Sequence, residues 1–287
     1  MKLLICISVT SLLSICCTAQ TDSLATSADS TKAKSTITFG TVYCTNADYY
    51  GQAANEKLSY LAAAVSYHHK SGLYLTGLAY RILSDTTNQI ASAENISAGI
   101  EFNISKRLSA DISYNHTFYP AGSPFLQAGN PDNASATLAY DAWVKPSISV
   151  DYAFGKTSDL FATAALGKTI ALGSISKKDL LRIAPAISVV GGTQKYYQTY
   201  VTQKKLADSL LGIIFPTTPG QGTGNSSYTK TISSFNLLSY NFKMPLDYYR
   251  ANYVVEASCQ LSMPAKNAQA GSGKLNSFFS VSFYYQL

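Results

Sequence analysis

From Thr36 onward, apolar and polar residues alternate in short runs separated by turn-forming residues. Ile96, Ala98, Ile100, Phe102 and Ile104 fall in one phase, with Asn95, Ser97, Gly99, Glu101, Asn103 and Ser105 in the other. After Lys106-Arg107 the pattern resumes, with Leu108, Ala110, Ile112, Tyr114 and Phe118 set against Ser109, Asp111, Ser113, Asn115 and Thr117. Successive side chains of a strand point to opposite faces, so this stretch predicts a hairpin with one apolar and one polar face. Ala251 to Met263 alternates in the same way. At the end of the chain, Phe279, Val281, Phe283, Tyr285 and Leu287 are apolar, and Ser280, Ser282, Tyr284 and Gln286 lie between them. A flat apolar strand at a sheet edge invites aggregation, whereas a closed barrel has no edge.

The alternation predicts about twelve strands, near 36–44, 58–69, 73–83, 94–105, 107–119, 133–142, 146–154, 159–171, 180–200, 232–243, 249–263 and 277–287. Most reach the ~9 to 11 residues that a tilted strand needs to cross a bilayer. Short turns at 69–72, 106–107, 144–146, 176–178 and 245–247 alternate with longer loops at 45–57, 84–93, 120–132, 201–231 and 264–276. An even number of strands with short turns at one end and long loops at the other is the layout of an outer-membrane barrel. The expected fold is therefore all-β, an antiparallel transmembrane β-barrel of about twelve strands, with ten and fourteen also allowed.

Composition agrees. Only 13% of residues are charged, about half the usual share, and Tyr is abundant at 21 residues. The net charge of +6 comes without a basic helix or RNA-binding motif, so nucleic acid is not an expected partner. Residues 1–19 read as a secretory signal, with Lys2 before an apolar run and Cys17-Thr18-Ala19 as the cleavage site. Residues 20–35 read as a flexible tail and 36–287 as the barrel. Two cysteines remain beyond the signal, Cys44 and Cys259, on strands that are not neighbours, so free thiols are expected.

In this pattern and in its terminal Phe-Phe-Ser-Val-Ser-Phe-Tyr-Tyr-Gln-Leu, the chain resembles the outer-membrane β-barrel proteins of Gram-negative bacteria. The signal end at Ala19-Gln20 looks like that of small barrels of the Bacteroidota. The resemblance implies outer-membrane lipid as the surroundings and insertion by the barrel-assembly machinery. The lipid-facing residues of the last strand, Phe279, Val281, Phe283, Tyr285 and Leu287, would then serve as the assembly strand. Such proteins commonly end in an aromatic residue, and this chain departs from that with Leu287. No single activity follows from the resemblance.

No catalytic, metal or cofactor motif is present. His68 and His69 occupy opposite faces of a strand end, so they cannot chelate one ion together. His116 falls on the outward phase beside Phe118, without a nucleophile pattern. Loop 201–231 carries Leu206, Leu210, Ile213 and Ile214 at nearly helical spacing, and reads as a helix on the barrel mouth or as a lid. The strand charges repay closer reading. Glu101, Asp111, Asp141, Asp151 and Glu256, with Arg182 and Lys243, all take the lumen phase. Turns centred on 106 and 146 would oppose Glu101 to Asp111 and Asp141 to Asp151, with Arg182 in the same layer. Two functions fit such a layer. One is a passive channel for small polar or cationic solutes. The other is a structural or partner-binding barrel whose lumen is closed by a salt-bridge network.

Overall fold

The computed structural model describes residues 34–53, 57–84, 90–120, 125, 130–176, 178–193, 235–266 and 274–287. The signal segment, nearly all of the tail and loop 201–231 lie outside the described residues. The strands are β1 (Thr36–Cys44), β2 (Tyr60–His68), β3 (Leu73–Ile82), β4 (Ala93–Asn103), β5 (Leu108–Phe118), β6 (Asp132–Tyr140) and β7 (Lys145–Phe154). They continue with β8 (Ser158–Gly167), β9 (Ile170–Gly173), β10 (Asp179–Ile183), β11 (Ala186–Gly192), β12 (Asn236–Arg250), β13 (Tyr253–Pro264) and β14 (Asn276–Gln286). No helix occurs among the described residues.

All pairings are antiparallel. β1 to β8 pair in sequence, β8 pairs with β11, β11 with β12, β12 with β13, β13 with β14, and β14 with β1. The ring is thereby closed as a twelve-stranded barrel, and every spanning backbone finds a partner without a free edge. Because the strand number is even, Thr36 and Leu287 lie at the same end, here called the terminal end.

The two extra strands arise from a single interruption. Gly167 pairs with Ala186 and Ile170 with Ile183, so β8–β9 and β10–β11 form one long hairpin broken at 168–169 and 184–185. Below the break, β10 pairs with the lower half of β12, and β9 forms an exposed flap. β12 therefore runs straight through Pro245-Leu246-Asp247, where the sequence predicts a turn. The chain reverses at Ala251, whose φ is 49°, and Asn252. Pro245 is tolerated because β12 changes neighbour there. Lys243 pairs with Ala186 of β11 and Leu246 with Ile183 of β10, so the missing N–H falls in the gap, while the Pro245 carbonyl accepts from Ala184 N (3.1 Å).

Facing follows the alternation. Phe39, Leu61, Val65, Leu75, Ile96, Ile112, Ile148, Phe242, Phe279, Val281, Phe283 and Tyr285 are exposed on the outer wall. Aromatic residues gather near both rims, with Tyr67, Phe102, Tyr140 and Tyr285 at the terminal end and Tyr43 and Phe118 at the far end. An apolar band between aromatic girdles is the wall of a membrane barrel. The core lies inside. Val42, Leu58, Tyr60, Ala62, Leu78, Tyr80, Ile82 and Tyr284 pack together on one side of the interior, along β1 to β3 and β14. Cys44 faces inward, whereas Cys259 takes the outward phase, and both are free thiols.

Candidate functional site: the lumen and its inward-folded loop

The register of β4 and β5 sets Glu101 directly across from Asp111. Tyr74, one strand further on, donates its hydroxyl to Asp111 Oδ1 (3.2 Å) by reaching across β4. Gly99 makes that reach possible, since a Cβ there would stand 2.4 Å from the Tyr74 hydroxyl. His68 faces the lumen and stacks on Tyr74, with ring centroids 5.2 Å apart.

The neighbouring hairpin differs from the sequence reading. β6 and β7 pair with Asp132 opposite Phe154, so the turn is centred near 143 and not 146. Asp141 consequently leaves the lumen layer. It sits in the turn, half-exposed, and pairs with Lys145 Nζ (2.9 Å). Asp151 is fully buried on the lumen face of β7, opposite Ser135, whose hydroxyl donates to Asp151 Oδ1 (2.6 Å). Trp143 and Lys168 bracket this end through a cation–π contact of 3.5 Å.

Arg182 does not join these acids. It binds Asp247 of β12 through Nη2 and Nε, both at 3.1 Å, and lies 4.3 Å from the Tyr249 ring centre. Asp247 stands opposite Glu256 of β13. Lys243, on the lumen phase of β12, exerts its field on both. Sequence reading missed Asp247 because Pro245 made its surroundings look like a turn. The lumen-facing Asp159 was also missed. It accepts from Asn130 Nδ2 (2.8 Å) and Thr193 Oγ1 (2.7 Å) near the far mouth.

The largest feature invisible to alternation is the loop between β1 and β2, here L1. It folds into the far mouth. Tyr49 and Gln52 pair across a two-residue turn in which Tyr50 has φ 55° and Gly51 φ 81°, the signature of a tight hairpin tip. A Cβ on Gly51 would meet Asn241 and Ser239 at 2.4 Å. The tip is fastened from several strands. The Ser239 hydroxyl donates to Tyr50 O (2.7 Å), Asn276 Nδ2 to Gly51 O (3.2 Å), and Gln260 Nε2 to Asp48 Oδ2 (2.7 Å). Tyr50 stacks on Phe161 of β8 at 3.9 Å, so L1 reaches from β1–β2 across to the opposite wall. Asp48 has its carboxyl raised from 3.8 to about 6 by loss of hydration, against donation from Gln260 and Gly51 N and the charge of Lys243.

On the outer wall near the far rim, His116 Nδ1 pairs with Asp132 Oδ1 (2.7 Å), and the Tyr114 hydroxyl donates to the same oxygen (2.5 Å). The ring of Phe118 stands edge-on to His116 at 4.5 Å.

The closed ring, apolar wall and polar lumen define the class as a transmembrane β-barrel. No family model matches the chain, and no curated protein does. Solved structures with a similar fold include the KdgM porin in complex with disordered oligogalacturonate. It has 7% identity and a TM-score of 0.45 over 87% of this chain and 98% of that one. The NanC porin has 8% identity and a TM-score of 0.45 over 88% and 100%. An outer membrane channel from Pseudomonas putida F1 has 10% identity and a TM-score of 0.45 over 93% and 100%. A likeness of this size is one of architecture.

Proposed function

We propose that the chain is an outer-membrane channel that passes small polar and cationic solutes through a narrow lumen. Its termini lie in the periplasm and L1 at the cell surface. The observation that carries this reading is the charge on the inner face. Glu101, Asp111, Asp151, Asp159, Asp247 and Glu256 line the strands and Asp48 lines L1. Among the described residues, the cations on the lumen phase are Arg182, bound to Asp247, Lys243, and Lys145, bound to Asp141 at the turn. A cation entering the narrow lumen loses hydration and recovers part of that cost from these carboxylates, while an anion meets a wall of its own sign. L1 narrows the mouth, which limits passage to small solutes.

A second reading is favoured by burial. Asp151, Ser66, Ser239 and Ser262 have no accessible surface, and the Arg182–Asp247 pair is buried on both sides. In that case the polar layer braces a closed barrel. The zero-current potential across a potassium chloride gradient separates the two. The channel reading expects cation preference, lowered in Asp111→Asn/Asp151→Asn while the barrel keeps its heat-modifiable gel mobility. Anion preference contradicts it. Absence of ion flux in both proteins, with thermal stability lost in the double variant, favours the closed barrel.

A further inference from the structure

Beneath L1 lies a chamber apart from the Glu101–Asp111 and Arg182–Asp247 clusters. It has a volume of about 60 Å³, is partly open, and is lined by the tip of L1, the inner faces of β3 to β7, and Tyr119, Phe125, Asn130 and Pro131 between β5 and β6. Among the described residues, every side chain lining it is uncharged. A cavity admits one water from about 10–15 Å³ upward, so the chamber has room for a small polar guest in place of water.

Two observations show what the chamber lacks. Asn133 of β6 is 6% exposed and neither atom of its amide has a partner. Asn95 of β4 is 2% exposed. Its Nδ2 donates to Thr117 Oγ1 (2.6 Å) and Asn115 Oδ1 (3.3 Å), leaving Oδ1 unpartnered. Asn115 stands directly across from Asn133, so three amides form a ladder across adjacent strands. A buried amide with neither donor nor acceptor used is costly and calls for a partner. An amide offers donor and acceptor side by side, which suits hydroxyl groups that both give and accept hydrogen bonds. Tyr49, Tyr80 and Phe125 present aromatic surface to the same space, and Phe125 and Tyr80 contact each other at 6.3 Å. Aromatic faces cover the C–H face of a sugar ring, while a charged ring meets no charged side chain in the described lining, and the carboxylate bound to Asn130, Asp159, is already taken up by Asn130 and Thr193.

We propose that this chamber binds an uncharged sugar ring, held by the Asn95–Asn115–Asn133 ladder and covered by L1. The site needs no open lumen, so its test is independent of ion flux. Saturation-transfer NMR on the folded full chain in detergent would use glucose, galactose, mannose, xylose and N-acetylglucosamine as probes. Galacturonate and glucosamine would serve as the charged counterparts. At least one neutral sugar should bind saturably, and more tightly than both charged rings. Asn133→Leu, which fills the site without its polar atoms, should weaken binding at least about tenfold. Asn133→Ala serves as a second variant if the leucine form fails to fold. The proposal is overturned if no neutral sugar saturates, in which case the chamber holds water only. It is also overturned if the charged rings bind equally well or if a folded Asn133 variant binds like the unsubstituted chain.

Discussion

Arg182 and Asp247 show how much rests on single lumen residues. The pair is buried on both sides, so removing Arg182 leaves Asp247 without its bound guanidinium and with only the field of Lys243. Arg182→Ala should lower barrel stability by roughly 3–5 kcal/mol, read as an earlier midpoint in gel heat-modifiability. Asp48 carries a different consequence. Its carboxyl sits at about 6 when L1 is docked and near the ordinary 3.8 when the loop is free. A raised acid favours the docked state below the free value and loses that advantage as pH rises through about 6. Docking of L1 should therefore weaken at least about tenfold between pH 4 and 7. Conductance would rise over that range, and Asp48→Asn should flatten the profile. At this scale the sequence was legible where a turn was short and unambiguous. Glu101 and Asp111 oppose each other because Lys106 truly centres their turn. Asp141 was misplaced because the turn after β6 is centred three residues earlier than Pro146 suggests.

Among the elements, the alternating strands were legible because one face meets lipid and the other a polar interior, so period two is enforced along their length. Pro245 was not, because its meaning depends on a change of strand neighbour that only the register between β10, β11 and β12 reveals. L1 was likewise invisible as an inward loop. Its clue is the Tyr49-Tyr50-Gly51 run, two large aromatics beside a residue suited to positive φ, but its fastening residues are distant in sequence. β14 closes the ring, with Tyr285 opposite both Phe39 of β1 and Tyr253 of β13. Tyr285→Asp/Leu287→Asp places charge on the outward face of this seam. Each acid on the lipid side costs at most about 1 kcal/mol near the rim, so the larger effect expected is loss of the apolar closing face. The double variant should fail to give the heat-modifiable form, whereas normal assembly would show that the last strand carries no insertion signal.

For the whole molecule, alternation gave an even barrel, and the register accounts for why twelve spanning strands are built from fourteen segments. The interior was only half legible. Charge phase could be read from the sequence, but the state of the lumen depends on L1 and on packing between strands far apart in the chain. L1 crosses the far mouth through the Tyr50–Phe161 stack, so it obstructs the lumen there. Single-channel recording in a planar bilayer tests this most directly, comparing the unsubstituted chain with Tyr50→Ala/Phe161→Ala. The account predicts small, discrete current steps for the first and larger steps for the second, whose loop has lost its anchor on the opposite wall. Silence from both folded proteins would contradict a conducting lumen.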